Sequence, residues 1–262
     1  MTCLNSDGII MNSSNEVTII TPVFNGLPHI KEAAASVLNQ SFKRYKWIIS
    51  DDGSTDGSRD YLHSLQALGD ERIEVFYQEK NLGIFGNLNF LCGRSLSDLI
   101  IILCQDDYFT KIDTVSLLLA KWENLDKSVG AARWNSADLP FNKHLKFVKP
   151  TESQLTFFLH GCIAGNLSNM SMRKSAWLAT GPFDQRLPYA GDFDYWSRLC
   201  LRFSLALFPE RAVYIRSHMM QASFQLNKSG ELYNQLSDVT SRIYDRILPP
   251  SYWAKIILRL AG

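Results

Sequence analysis

Two adjacent carboxylates, Asp106 and Asp107, follow the apolar run at residues 99–103. Neighbouring carboxylates repel each other and lose solvation when a fold buries them, so both effects oppose ionisation. A divalent cation bound through oxygen ligands removes this cost and keeps open positions for substrate phosphates. Aspartate is equally common in turns and at helix starts. Taken alone, the pair supports a metal site and a turn about equally.

Two further acidic motifs also allow both a structural and a functional interpretation. Residues 51–56 read DDGSTD, which is typical of a turn that leads into a helix, and Asp52 has the chemistry to accept a hydrogen bond from a base or ribose. Asp192 and Asp194 begin a predicted helix, where the helix dipole favours negative charge. A carboxylate there also suits a general base acting on an acceptor hydroxyl.

The other reactive side chains are less specific. His218 stands in the segment RSHMM at residues 216–220, and a single histidine is more often structural than a metal ligand. The five cysteines are odd in number and contain no Cys-x-x-Cys spacing. Small buried side chains are therefore a better interpretation of them than a disulfide framework or a zinc site.

The first half of the chain alternates predicted strands and helices. Short β-branched or apolar runs predict strands at 17–21, 47–50, 72–77 and 99–103. Helical spacing of apolar residues predicts helices at 28–40, 57–68 and 84–95. This alternation predicts an α/β fold with a mainly parallel sheet covered by helices on both faces. Ligands bind at the carboxyl ends of such strands, and a polar cluster follows each of the four.

The second half is less regular. Strands are predicted at 128–134, 168–172, 205–208 and 212–215, and a loop at 141–150. A short helix is predicted before Gly181, another over 192–203, and a mostly helical tail over 230–260.

Composition narrows the partners and the location. Lys and Arg total 27 against 26 Asp and Glu, and this near-neutral balance gives no reason to expect nucleic acid as a partner. Residues 1–15 lack the pattern of a signal peptide and the longest apolar run is too short to span a bilayer, so we expect a cytoplasmic protein. The apolar stripe within 250–262 fits peripheral contact with a membrane, and it fits packing on the protein or on a second subunit of a homo-oligomer at least as well.

Several motifs in order resemble the family 2 glycosyltransferases, which have the GT-A fold. The resemblance covers roughly residues 17–223, and its motifs lie at 18–25, 48–56, 81–83 with Asn89, 105–107, 165–166, 191–199 and 216–218. It implies a Rossmann-like domain over 16–228, with a nucleotide-sugar-binding half at 16–110 and an acceptor-binding half at 111–228. Residues 1–15 would then be a flexible N-terminus and 229–262 a helical C-terminal segment.

The resemblance also implies a role for individual residues. It assigns Asp192 as the catalytic base, and Asp107 with His218 as ligands of a divalent cation, Mn²⁺ or Mg²⁺. Asp106 would contact the ribose, and contact with the metal is its second candidate role. The full set of residues implied to bind the nucleotide is Pro22, Val23, Phe24, Asn25, Asp52, Asn81, Gly83 and Asp106.

Two positions depart from the family pattern. Family members often carry arginine where this chain has Leu88, which puts contacts from that position to the diphosphate or the base in doubt. The common Glu-Asp pair is here Gly191 followed by Asp192, so the aspartate assigned as the base is retained.

The implied reaction is transfer of a sugar, with inversion, from a UDP- or dTDP-sugar to a hydroxyl of a saccharide or lipid-linked acceptor. The resemblance suggests surface polysaccharide or lipopolysaccharide synthesis. A nucleotidyltransferase is the competing enzyme class, but no glycine-rich and basic phosphate loop occurs between residues 21 and 31. A binding module without activity would need neither Asp192 nor His218, so their presence favours the enzyme.

Overall fold

The structure is a computed structural model that describes residues 3–4, 10–11, 17–139, 146–217 and 230–247. Its strands are β1 (Cys3–Leu4), β2 (Ile10–Met11), β3 (Val17–Val23), β4 (Tyr45–Asp51), β5 (Ile73–Tyr77), β6 (Leu99–Ile102), β7 (Tyr108–Phe109), β8 (Val129–Arg133), β9 (Phe147–Val148), β10 (Met170–Arg173), β11 (Ser204–Leu207) and β12 (Val213–Tyr214). Its α-helices are α1 (His29–Leu38), α2 (Ser58–Gln66), α3 (Gly83–Arg94), α4 (Thr114–Glu123), α5 (Pro150–His160), α6 (Lys174–Thr180), α7 (Gly191–Leu199) and α8 (Glu231–Arg246).

The central sheet has the strand order β5-β4-β3-β6-β10-β8-β11-β9. Strands β5, β4, β3 and β6 are mutually parallel, as the alternating pattern predicts. Strand β10 lies between β6 and β8 and is antiparallel to both, whereas β11 is parallel to β8. The sheet is therefore mainly parallel, with β10 reversed at its centre and β9 reversed at its edge.

Side chains alternate between the two faces of the sheet, and each face is apolar. Ile19 and Ile49 lie in one buried cluster, while their chain neighbours Ile20 and Ile48 lie in the other. All four are at most 1% exposed. A strand buried on both faces reads as a continuous apolar run, and this explains why the first-half strands are readable from the sequence.

Helix α5 departs from the sequence prediction, which placed a loop over 141–150 and no helix after it. The helix begins at Pro150, whose missing N–H costs nothing at a first helical position. The Glu152 carboxylate accepts a hydrogen bond from the Lys149 amide at 3.1 Å and thereby caps the N-terminus of the helix. The helix buries few apolar side chains, Phe157 among them, so its periodic signal is weak. Residues 140–145 lie outside the description.

Strands β3, β4 and β6 end at one edge of the sheet, since they run in parallel. The loops that follow Val23, Asp51 and Ile102 therefore meet there, as the positions of the polar clusters predict.

Among the helices in the described ranges, none combines the length and apolar character needed to cross a lipid bilayer.

One buried hydroxyl connects strand β10 to two tryptophan side chains. Ser171 of β10 is fully buried and its Oγ accepts hydrogen bonds from the indole N–H groups of Trp122 at 2.9 Å and Trp134 at 3.0 Å. The side chains of both tryptophans are buried within the same core, so no water replaces this acceptor.

Ser171→Ala should therefore lower the free energy of unfolding by about 1–3 kcal/mol, because it leaves two buried donors without an acceptor. Urea unfolding followed by tryptophan fluorescence measures the change. Ser64→Ala is the matched control, since Ser64 is exposed and bonds only a carbonyl one turn away. Equal effects of the two substitutions would contradict the structural role of Ser171.

Candidate active site

The loops after β3 and β6 are joined by the side chain of Gln105. The Phe24 amide donates to Gln105 Oε1 at 2.7 Å, and Gln105 Nε2 donates to the Phe24 carbonyl at 2.9 Å. A Cβ on Gly26 would lie 2.6 Å from Gln105 Oε1, so the close approach requires glycine there. This pairing places the Phe24 loop beside Asp106, a role of Gln105 that the sequence analysis did not predict.

The loop after β3 is also tied to the loop after β4. The Asn25 amide donates to Ser54 Oγ at 2.9 Å, and Asn25 Oδ1 accepts from the Thr55 amide at 2.8 Å. Asn25 has a φ of 49°, a left-handed conformation that asparagine tolerates better than most residues. The side chain of Val23 is buried in the core, whereas that of Phe24 is 48% exposed. Phe24 is therefore the ring at this edge that a ligand can contact.

Asp52 lies at the centre of the predicted nucleotide-binding residues. Its Oδ1 accepts a hydrogen bond from the Leu82 amide at 2.7 Å, and its carbonyl accepts from Asn81 Nδ2 at 3.0 Å. Asn81 Oδ1 in turn accepts from the Gly83 amide at 2.9 Å. Burial raises the pKa of Asp52, and the amides of Leu82 and Gly83 partly offset this effect. Asp52, Asn81 and Gly83 thus form one connected unit.

Asp107 has an unusual environment for an acidic residue. It is 1% exposed, and its Oδ1 accepts a hydrogen bond from the Arg216 amide at 2.9 Å. Its Oδ2 is buried without a hydrogen-bond partner among the residues that the structure describes. Burial, followed by the charge of Asp106, raises the pKa of Asp107 to about 6, against the opposing effects of Ser168 and Arg216. A buried carboxylate oxygen without a partner fits a metal ligand.

Arg216 holds the acidic pair in place. Its Nε donates to the Asp106 carbonyl at 3.0 Å, and its guanidinium forms an ion pair with Glu32 at 2.7 Å. The antiparallel pairing of β7 with β12 brings this segment to the acidic pair, and Tyr108 stacks on Tyr214 across that pairing. The sequence prediction named the Arg-Ser-His segment but gave no role to the arginine.

His218 lies outside the described residues, as do residues 250–262 with their apolar stripe. Within the described ranges, no group of three or more histidine, cysteine, aspartate or glutamate side chains converges in a way that could hold a metal ion. The described part of the predicted metal site therefore consists of Asp107 with Asp106 beside it.

Asp192 lies in the first turn of helix α7, where it is partly buried. Burial raises the pKa of its carboxyl to about 6, and the Phe193 amide donates to Asp192 Oδ1 at 2.8 Å. The neighbouring Cys104 thiol has a pKa raised well above its usual value, first by burial and then by the negative charges of Asp107, Asp106 and Asp192. The negative charges of all three predicted acidic residues therefore act on one thiol, although 85 residues separate Asp107 from Asp192 in sequence.

The two departures from the family pattern have structural reasons. A Cβ on Gly191 would lie 2.6 Å from Cε2 of Phe85, so the Phe85 ring occupies the space that a side chain would need. Leu88 is fully buried in the core, where it packs on the sheet and does not reach a ligand.

A second helix fixes the start of α7. Gln235 of α8 is 8% exposed, and its Oε1 accepts hydrogen bonds from the amides of Tyr189 at 3.0 Å and Ala190 at 3.3 Å. These amides immediately precede Gly191 and Asp192. The sequence gives no signal for this contact, because Gln235 has the appearance of an ordinary surface residue of an amphipathic helix.

Comparisons with known proteins agree with this fold. The family model described as Glycosyl transferase family 2 matches residues 18–180, well over half of the chain, and the chain belongs to that family. An uncharacterized glycosyltransferase of Haemophilus influenzae is 25% identical over 247 residues, which cover 86% of this chain and 71% of the relative. Seven further curated glycosyltransferases match over 32–64% of their own length.

Solved structures share the fold at low sequence identity. TarS 1-349 of S. aureus in complex with UDP-GlcNAc superimposes with a TM-score of 0.69 at 15% identity, over 93% of this chain and 70% of that one. The mannosyltransferase PcManGT from Pyrobaculum calidifontis, in complex with GDP-Man and Mn2+, gives a TM-score of 0.58 at 15% identity, over 100% of this chain and 82% of that one. The predicted GT-A fold is confirmed.

The raised pKa of Asp192 predicts a pH dependence of stability. The folded protein holds this proton up to a pH of about 6, whereas the unfolded chain releases it near the ordinary value of 3.8. The unfolded state therefore binds fewer protons between these values, and stability falls as the pH rises through them. Asp192→Asn should remove this loss, so the variant should gain about 1–3 kcal/mol over wild type between pH 4 and pH 7.

Urea unfolding at a series of pH values measures this effect. Asp70→Asn is the control of opposite sign. Hydrogen bonds with Arg72 lower the pKa of Asp70, so ionised Asp70 stabilises the folded protein at pH values above the ordinary pKa of aspartate. A constant difference between Asp192→Asn and wild type across the range would show that Asp192 is solvated.

Proposed function

We propose that the chain is an inverting, cation-dependent glycosyltransferase that uses a UDP- or dTDP-sugar donor. The observation that carries the proposal is the buried Asp107 carboxylate beside Asp106, at the edge where the nucleotide-binding loops meet, whose Oδ2 has no hydrogen-bond partner among the described residues. Family membership supports glycosyl transfer. Asp107 would supply the carboxylate for a cation, and Asp192 the carboxylate for a proton.

The donor nucleotide would lie across the loops that follow β3, β4 and β6. We assign the base to the surface formed by Asp52 and the exposed Phe24 ring, beside Pro22, Val23 and Asn25. Asn81 and Gly83 would support Asp52, to which they are already bonded. Asp106 would contact the ribose. The neighbours determined with UDP-GlcNAc and with GDP-Man support a nucleotide-sugar donor.

Asp107 would bind the cation through Oδ2, the oxygen that has no partner among the described residues. His218 is proposed as a second ligand, since the Arg216 amide two residues earlier in sequence is bonded to Asp107. A bound Mn²⁺ or Mg²⁺ would neutralise the charge that develops on the leaving diphosphate. The neighbour determined with Mn2+ supports this choice of ion.

Asp192 would act as the base. The acceptor hydroxyl gives its proton to the Asp192 carboxylate while its oxygen bonds to the anomeric carbon, and the bond from that carbon to the diphosphate oxygen breaks. Attack from the face opposite the leaving group inverts the anomeric configuration. A pKa of about 6 leaves Asp192 ionised at neutral pH, yet makes it a better proton acceptor than an ordinary aspartate.

The acceptor half is proposed to be residues 111–228, following the donor half at 16–110. A saccharide or lipid-linked acceptor of surface polysaccharide or lipopolysaccharide synthesis would bind there. We propose a cytoplasmic location, with residues 250–262 contacting either the membrane or a second subunit. Flotation with liposomes, with and without residues 252–262, separates these two roles of the tail.

Asp192→Asn should lower the rate of sugar transfer by ~10²–10⁴-fold, because the hydroxyl loses its proton acceptor. Binding of the nucleotide should stay within about twofold of wild type, since Asp192 is not part of the nucleotide-binding loops. Slow hydrolysis of candidate sugar nucleotides and titration with UDP measure the two quantities. The exposed Asp60→Asn variant is the matched control. Parallel loss of binding and turnover would refute the assignment of the base.

A further inference from the structure

A charged cavity lies between helix α7, helix α8 and the loop before α7. It has a volume of about 530 Å³, and four arginines and two aspartates are among its lining residues. The charged residues are Asp184, Arg186, Asp194, Arg198, Arg242 and Arg246. Asp192 and Asp194 are two positions apart on α7, so their side chains leave different faces of that helix. The cavity is therefore separate from the donor site.

The cavity contains more positive charge than its carboxylates balance. Asp194 is 3% exposed, and three arginines surround it: Arg198 bonds its Oδ2 at 2.6 Å, while Arg242 and Arg246 each lie 3.9 Å from its Oδ1. One carboxylate thus faces three guanidinium groups. Asp238 also bonds Arg242, and even with this residue included the positive charges outnumber the negative ones.

Arg242 and Arg246 keep N–H groups that can bind a ligand. Arg198 already donates three hydrogen bonds, to Asp194 and to the carbonyls of Thr180 and Pro182. In the described part of the chain, by contrast, Arg242 donates one hydrogen bond, to Asp238, and Arg246 one, to Ser197. A guanidinium group has five donors, and their planar arrangement matches the oxygens of phosphate.

The lowered pKa of Arg246 agrees with a shortage of negative charge around it. Burial lowers the pKa of Arg246, and the positive charges of Arg198 and Arg242 lower it further against the attraction of Asp194. A bound anion would relieve both effects. A group with three or more oxygens can accept hydrogen bonds from Arg242 and Arg246 at the same time, and phosphate therefore fits this pair of planar donors better than a second carboxylate does.

We propose that this cavity binds a phosphate or diphosphate group, through Arg242 and Arg246 with Arg186 at its rim. The phosphate can be carried by a soluble molecule or by a lipid, and the chemistry of recognition is the same. The site is distinct from the site of the donor diphosphate, so its occupancy needs neither Asp107 nor a divalent cation.

Calorimetric titration with inorganic pyrophosphate, in EDTA, tests the proposal. Wild type and Asp107→Asn should bind equally, whereas Arg242→Gln/Arg246→Gln should bind at least about tenfold more weakly. Arg44→Gln, an exposed arginine elsewhere on the surface, should bind like wild type. Binding that survives in the double variant, or that disappears in Asp107→Asn, would overturn the proposal. These outcomes are independent of sugar transfer.

Two single variants keep the test valid if the double variant unfolds. Arg186→Gln changes a side chain that is 86% exposed and should weaken binding, while Asp184→Asn removes a negative charge and should tighten it. Unchanged affinity in both would contradict the site. Sedimentation with phosphatidylcholine vesicles then identifies the carrier of the phosphate. If wild type sediments only with vesicles that contain phosphatidic acid, and Arg242→Gln/Arg246→Gln does not sediment with them, the phosphate belongs to a lipid. Arginine-dependent binding of pyrophosphate without sedimentation assigns it to a soluble molecule.

Discussion

The burial of Asp107 at the carboxyl end of β6 is the constraint on which the rest of the site depends. A carboxylate beside a second one, removed from water and with one oxygen unpaired, is costly unless the surroundings compensate. The protein provides the Arg216 amide and the Ser168 hydroxyl nearby, and it fixes Arg216 through Glu32 and the β7–β12 pairing. Elements far apart in sequence are thus positioned around one unfavourable charge.

The proposed base, Asp192, is positioned by contacts at the start of α7. Gln235 of α8 holds this start through two backbone amides. The Phe85 ring of α3 packs where a side chain on Gly191 would lie, so α3 approaches α7 closely at this point. Helix α8 consequently connects the segment before Asp192 to the arginine-lined cavity, which lies between α7 and α8.

The sequence predicted the parallel half of the fold because its strands are buried on both faces and its helices have one apolar face. It also predicted Asp52, Asp106, Asp107 and Asp192 as the residues of interest; the first three follow parallel strands that end at one edge of the sheet, and the roles of all four stay predictions. The reversed strand β10 could not be predicted in its place, since strand order depends on pairing between distant segments. The contacts of Gln105 and Gln235 were equally unpredictable, because an amide that bonds a remote backbone leaves no periodic pattern.

A crystal structure with UDP and Mn²⁺, with anomalous diffraction used to locate the ion, is the decisive test of the role proposed for Asp107. We expect one anomalous peak within bonding distance of Asp107 Oδ2, with the UDP diphosphate on its other side and uracil beside Asp52. A bound UDP whose diphosphate lies away from Asp107, or Mn²⁺ bound elsewhere while Asp107 Oδ2 stays without a ligand, would contradict it.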